Sequence, residues 1–361
     1  MKNIQHFCVS LAVITCLFIN SKAIGEIRYN VIDLGALGGR NSVAYSINNS
    51  GQIVGIADLD SGAGNDKYRA TLFDQTGNQN NINLGILPGY SYSQATAIND
   101  RGQIVGATYG SNTAATLFDS TGQGNNINLG TGHWSFVNCV NNNGKVGGGT
   151  GSRATVFNID GSLQPIDLGE GFVTSINNND KAVGYVVYQG NRYATLFDLS
   201  GNGNNVSLGT STFGGESIAS WINDSGQIVG YFDGGGQNRL PVVFDISGAQ
   251  NNIVLSDSFG YALGNNNLGQ IVGSGRNSSG IDSAFLFDGT GQGNNIDLNT
   301  LIDNLNGMHL KFAYGINDNG WIVGQATATD NTFHAFLLTP TPEPATLLLL
   351  GLGAVIIGKK R

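Results

Sequence analysis

The stretch Ile222-Asn223-Asp224-Ser225-Gly226-Gln227-Ile228-Val229-Gly230 occurs seven times in this chain, with drift. The other copies begin at Ile47, Ile98, Val140, Ile176, Asn265 and Ile316, so successive starts lie 51, 42, 36, 46, 43 and 51 residues apart. Self-similarity at such a period marks a repeat architecture. The centre of each copy is tight-turn chemistry. Asn and Asp tolerate left-handed backbone and bond their own main chain, and Gly supplies positive φ. An apolar pair follows each turn, as in Ile53-Val54 and Ile104-Val105, so each copy predicts a β-hairpin.

Two more elements recur behind each hairpin. The third reads Ala70-Thr71-Leu72-Phe73-Asp74, Ala115-Thr116-Leu117-Phe118-Asp119 and Ala194-Thr195-Leu196-Phe197-Asp198, with drifted versions elsewhere. The fourth reads Ile82-Asn83-Leu84-Gly85 and returns at Ile127, Ile166, Val206, Ile253 and Ile296. Four short strands rich in β-formers make one repeat. They are apolar on both sides, which requires burial of both faces. A ring of four-stranded blades meets that requirement. The seventh fourth element, Ile32-Asp33-Leu34-Gly35, lies before the first hairpin, while the last repeat stops after its third strand at Leu338. The expected fold is therefore all-β: a seven-bladed β-propeller of four-stranded blades over residues 24–340, closed by the N-terminal strand (residues 29–35) completing the last blade.

With 55 Gly and 12% charged residues among 361, the composition suits an exported, turn-rich β protein. Residues 1–23 read as a signal peptide: Lys2, an apolar run from Phe7 to Ile19, and Ser21-Lys22-Ala23 as a small-x-small cleavage site. Thr15 before Cys16 argues against a lipoprotein site. Cys8 and Cys16 would leave with the signal, and Cys139 remains as a single thiol without a His-Asn partner set, which reads as a structural cysteine. The 17 basic and 25 acidic residues become 12 and 24 once the terminal segments 1–23 and 341–361 are set aside. Such an acid excess, with no basic stripe, excludes nucleic acid as a partner.

The connections sort into two sets. The turn between strands one and two, and the loop between strands three and four, are uniform. The connections at the other edge vary from copy to copy, and variable loops on a rigid scaffold carry binding. That edge holds the candidate binding residues Tyr90, Tyr92, Trp134, Tyr188, Arg192, Tyr193, Phe213, Glu216 and Arg239, with Tyr109, Tyr231, Tyr261, Arg69 and Arg276 nearby in sequence. Aromatic rings beside polar groups suit stacking on sugar rings or docking a protein; plugging the ring's mouth is the plainer role for any single ring.

Other chemistry is thin. The loop Asp-x-Ser/Thr-Gly-x-x-Asn-Asn at Asp74, Asp119 and Asp198 offers oxygens for calcium. Each copy brings one carboxylate, however, and reads first as a hairpin loop; no cofactor is expected. A glycosidase needs paired carboxylates, and the sequence offers Glu170, Glu216 and Asp257 in the variable connections. His6, His133, His309 and His334 form no metal-ligand pair. Trp221 and Trp321 fall inside repeat motifs and read as core.

The tail is the most specific feature. Pro342-Glu343-Pro344 precedes Ala345 to Gly358, apolar or Gly except for Thr346, and then Lys359-Lys360-Arg361. Fourteen residues fall short of the roughly 20 of a spanning helix, and the arrangement reads as a processed sorting signal over 341–361. It resembles the PEP-CTERM sorting signal. The resemblance implies a Gram-negative bacterium, export, transient membrane anchoring by a C-terminal transmembrane helix, recognition by an exosortase, and a link to exopolysaccharide and biofilm. Signal peptidase is the other processing partner. Residues 29–338 resemble the HAF-repeat extracellular proteins, named for a triplet seen here once as His334-Ala335-Phe336; that family carries no established enzymatic activity. The expectation is a non-catalytic cell-surface or matrix protein binding polysaccharide or an envelope protein. The alternatives are a glycosidase or lyase acting on exopolysaccharide, and a purely structural matrix component.

Overall fold

The computed structural model describes residues 27–59, 68–130, 134–160, 165–210, 215–233, 235 and 238–341. The signal sequence, Phe213 and the sorting residues Pro342, Glu343, Pro344, Lys359, Lys360 and Arg361 lie outside them. The chain divides into two compact units. One takes Met1–Asn30 with Pro340–Arg361; within it, the Thr341 backbone N donates to Arg28 O at 2.8 Å and its hydroxyl donates to the same oxygen at 3.1 Å. The other, Val31–Thr339, carries the repeats.

The described strands form six antiparallel sheets, five of four strands and one of seven. In the seven-stranded sheet, Ile166–Ile176 is both the last strand of one quartet and the first of the next. The repeats thus correspond to seven quartets in chain order. In the seventh, Met308–Ile316, Ile322–Ala328 and Phe333–Pro340 are completed by Tyr29–Asp33. The strand before the first hairpin does join the last sheet. Among the described residues no helix is long and apolar enough to cross a membrane; the apolar run 345–358 lies beyond them.

Each hairpin forms for the reason its sequence states. In the first quartet, Asn48 Oδ1 accepts from Gln52 N and from Ser50 Oγ, both at 2.8 Å, and Gly51 takes φ 84°. In the fourth, Asp180 takes the left-handed position (φ 59°) that Gly fills elsewhere. The Gly ending the nine-residue motif has a different cause. A Cβ at Gly55, Gly106, Gly148, Gly184, Gly230, Gly273 or Gly324 would lie 1.9–2.0 Å from a carbonyl oxygen of the facing first strand. That strand bulges there in all seven quartets, for example between Ala219 and Trp221.

Cohesion lies between the sheets. Val54, Ala70 and Leu84 of the first quartet pack with Ala95, Ile98, Ile104 and Phe118 of the second. Further clusters join quartets two and three, three and four, four and five, and five and six. Another joins Leu34, Val323, Ala335 and Leu337 of the seventh to Ala44, Ile47, Ile53 and Phe73 of the first. Each fully buried Val, Leu or Ile contributes about 1.5–3 kcal/mol. Trp221 and Trp321 are half-buried against two of these clusters. Cys139 is buried in the first strand of the third quartet, and burial pushes its thiol up to about 12, which suits a structural role.

Candidate functional site

On the edge with the uniform turns, the second residue of every motif is a buried Asn. Asn48 Nδ2 donates to Asn99 O (3.0 Å), Asn99 to Asn141 O (2.8 Å), Asn141 to Asn177 O (2.9 Å) and Asn177 to Asn223 O (2.9 Å). Asn223 then donates to Asn266 O (2.8 Å), Asn266 to Asn317 O (2.9 Å), and Asn317 back to Asn48 O (3.0 Å). The third residues form a second cycle, in which each backbone N–H donates to the next Oδ1 at 2.8–2.9 Å, from Asn49 to Asp100 and so on through Asp318 to Asn49. Asp100 Oδ2 accepts from the amides of Asn49 and Asn142, Asp224 Oδ2 from Asn178 and Asn267, and Asp318 Oδ2 from Asn267 and Asn49. All seven copies line one cavity of about 130 Å³. The sequence marked these residues only as turn formers; their side chains also link neighbouring quartets.

The Asp loops are stitched in the same way. Asp74 Oδ1 accepts from Thr76 N and Oγ1, and Oδ2 from Asn80 N and Nδ2. Asn81 then reaches back to Leu34 O at 2.8 Å. Asp119 and Asp198 repeat the pattern with Thr121 and Ser200. These hydrogen bonds hold the Asp74 and Asp198 carboxyls below the usual range and Asp119 at about 2. The oxygens a calcium ion would need already accept N–H and O–H groups. Among the described residues no three His, Cys, Asp or Glu gather as metal ligands.

The aromatic residues collect at the opposite edge. Tyr92 stacks on Tyr109 with centroids 4.7 Å apart. Tyr109 meets Phe136 (6.3 Å), Phe136 meets Phe172 (6.4 Å), and Phe172 meets Tyr185 (5.7 Å). The Arg192 guanidinium lies over Tyr185 at 5.4 Å. Glu216 stands between Arg192 (3.9 Å) and Arg239 (3.7 Å), and Arg239 lies over Tyr231 at 5.4 Å. Tyr231, Tyr261, Phe259 and Arg276 continue the series. It runs without a break from the second quartet to the sixth. A second arc links Tyr45, Tyr314, Phe312 and Lys311. Burial raises the Tyr109 and Tyr314 hydroxyls to about 12. Phe136, Asn138, Phe172, Thr174 and Tyr185 enclose a groove of about 270 Å³.

Of the residues expected to bind, Tyr92, Arg192, Glu216 and Arg239 fall in this series. Trp134 and Tyr188 stand 53% and 63% exposed at the same edge. Tyr90 and Tyr193 are half-buried and lie outside the series. Several residues placed in loops prove to be strand-borne, among them Tyr92, Tyr188, Arg192, Tyr193 and Arg239. Glu170, expected in a variable connection, lies within Ile166–Ile176, because Gly169 (φ 101°) and Gly171 (φ 144°) let the strand pass between sheets unbroken. Phe172, Tyr185 and Phe259 were not singled out. The signal for Tyr185 was present: the residue after the motif's last Gly varies among copies as Ile56, Ala107, Gly149, Tyr185, Tyr231, Ser274 and Gln325.

Among known protein families, residues 340–361 match the PEP-CTERM protein-sorting motif. No curated protein matches the chain. The motif implies an exported, envelope-associated bacterial protein processed by an exosortase.

Proposed function

We propose that Val31–Thr339 is a seven-bladed β-propeller with HAF-type repeats, acting without catalysis or cofactor as a binding protein at the cell surface or in the extracellular matrix of a Gram-negative bacterium. The ligand is polysaccharide, held by the aromatic edge. Two observations support the propeller: the Asn hydrogen-bond cycle returns to Asn48, and Leu34 packs in one cluster with first-quartet residues. The binding reading rests on one observation, the unbroken series from Tyr92 to Arg276 on neighbouring strands and the residues that enter them. Rings presented on strands lose little conformational freedom on binding. Glu216, the strongest acid candidate for a glycosidase, is flanked by the guanidiniums of Arg192 and Arg239. That favours binding over hydrolysis.

The test is titration of the full chain with the host's exopolysaccharide, in calcium and in chelator. Trp134→Ala and Tyr188→Ala remove exposed rings and should each weaken binding about tenfold, a loss of ~1.4 kcal/mol, without moving Tm. Calcium dependence would revive the Asp74, Asp119 and Asp198 loops as ion sites. Absence of binding in both buffers would favour a structural matrix component.

A further inference from the structure

We infer that the arginine-bearing part of the aromatic edge is a subsite for the carboxylate of a uronic-acid residue in an acidic polysaccharide. The inference rests on the binding reading above and narrows its ligand class.

Arg192 and Arg239 each lie over an aromatic ring at 5.4 Å, which supports the guanidinium while leaving its N–H edge for a planar acceptor. Their nearest carboxylate is the shared Glu216, at 3.9 and 3.7 Å, beyond hydrogen-bond distance. Among the described residues neither guanidinium donates a side-chain hydrogen bond. Each carries five N–H donors, so one distant carboxylate leaves most of them for a ligand. Asp233 faces Arg239 across the strand pair, and its Oδ1 accepts from Gly235 N at 3.0 Å. Arg276 differs: it already bonds Asp282 at 3.3 Å.

The neighbouring groove supplies the rest of a sugar site. Tyr185 belongs both to the Arg192 stack and to the groove walled by Phe136 and Phe172, with Asn138 and Thr174 as polar groups. At about 270 Å³ it is a small-ligand site. A sugar ring in the groove would bring a 6-carboxylate towards Arg192. The chain's net charge of −8 would repel a polyanion at long range, so recognition must come from this local pair.

The experiment compares polygalacturonate with the same polymer after carboxyl reduction, titrated into the full chain in chelator. The expected result is binding of polygalacturonate at least about tenfold tighter, as for a charge-assisted bidentate contact. Arg192→Gln and Arg239→Gln should each remove about tenfold from that affinity and cost the reduced polymer less, so that the ratio between the two polymers falls. Glu216→Gln should tighten polygalacturonate binding, because it removes the competing carboxylate; a purely structural role predicts no gain. Equal affinity for the two polymers would overturn the carboxylate subsite and leave the polysaccharide reading intact. Retention of the preference in the Arg192→Gln Arg239→Gln double variant would overturn it too. If neither polymer binds, the inference falls; the exopolysaccharide titration then decides whether the broader reading falls with it.

Discussion

Gly230 and its six counterparts carry the strictest packing constraint at the scale of single residues. Gly230→Ala would put a methyl 2.0 Å from Ile218 O, where only backbone can move. We expect a loss of about 3 kcal/mol or more, read as a lower denaturant midpoint at constant slope. Asn223→Ala tests the hydrogen-bond cycle. It removes the donor to Asn266 O and the acceptor for Ser225 and Gln227. The expected cost is about 1–3 kcal/mol, because the Gln227 N–H and Ser225 hydroxyl lose this acceptor and the Asn266 carbonyl keeps only Gly269 N, and an unchanged midpoint would refute the role. The sequence displayed both residues seven times over. It did not reveal why, since turn formation explains an Asn without requiring its amide, and a bulge on the facing strand cannot be read from the strand that accommodates it.

Strand identity was largely legible, because short runs of β-formers between Asn-Gly turns specify hairpins locally. Two things were not. The fusion of two expected elements into Ile166–Ile176 depends on glycine backbone angles, and the reach of the strands towards the aromatic edge depends on pairing with neighbours. The strand Tyr29–Asp33 carries a further prediction at its junction with the last quartet. Asp33 Oδ2 lies 2.7 Å from His334 Nδ1, whose other nitrogen lies 2.9 Å from Thr332 Oγ1; Asp330 and Arg40 complete the cluster. The hydrogen bond His334 donates to Asp33, with the nearby acids, raises His334 above 6.5 despite partial burial. Burial pulls Asp33 upward, but its hydrogen bonds from His334 and Gly35 prevail and hold it below 3.8. The His contribution is fully present below pH 6.5 and lost as pH climbs through the raised value. The Asp contribution is present above 3.8 and lost as pH falls through the lowered one. The pair therefore stabilises most between those two pH values. Tm profiles of wild type and His334→Gln should differ most inside that window and converge in alkali; a constant offset would rule the pair out.

For the repeat-bearing unit as a whole, the hydrogen-bond cycle makes stability a shared property. Leu34, near the start of the described chain, packs in the cluster that joins the seventh quartet to the first. Leu34→Ala should cost about 2–5 kcal/mol and lower the midpoint of one common unfolding transition. Independent melting of the first quartet would argue for an open array instead. The displaced fourth strand was readable by counting elements and the aromatic edge by sorting connections, but the order of its contacts was not, because only the three-dimensional arrangement brings residues as distant as Tyr92 and Arg276 into one series. Seven also has an arithmetic consequence. Around the second cycle, that of the third motif residues, acceptor carboxylates and donor amides alternate, and an odd number of places cannot be filled with two kinds of group without one like pair. That parity mismatch falls between Asn142 and Asn178, the joint between the third and fourth quartets. Here Lys145 pairs with Asp180 at 2.7 Å, Asn143 bonds Asn178 O, and Ile166–Ile176 runs unbroken from one sheet into the next. The joint that the colouring leaves unmatched is the one the polypeptide itself splices.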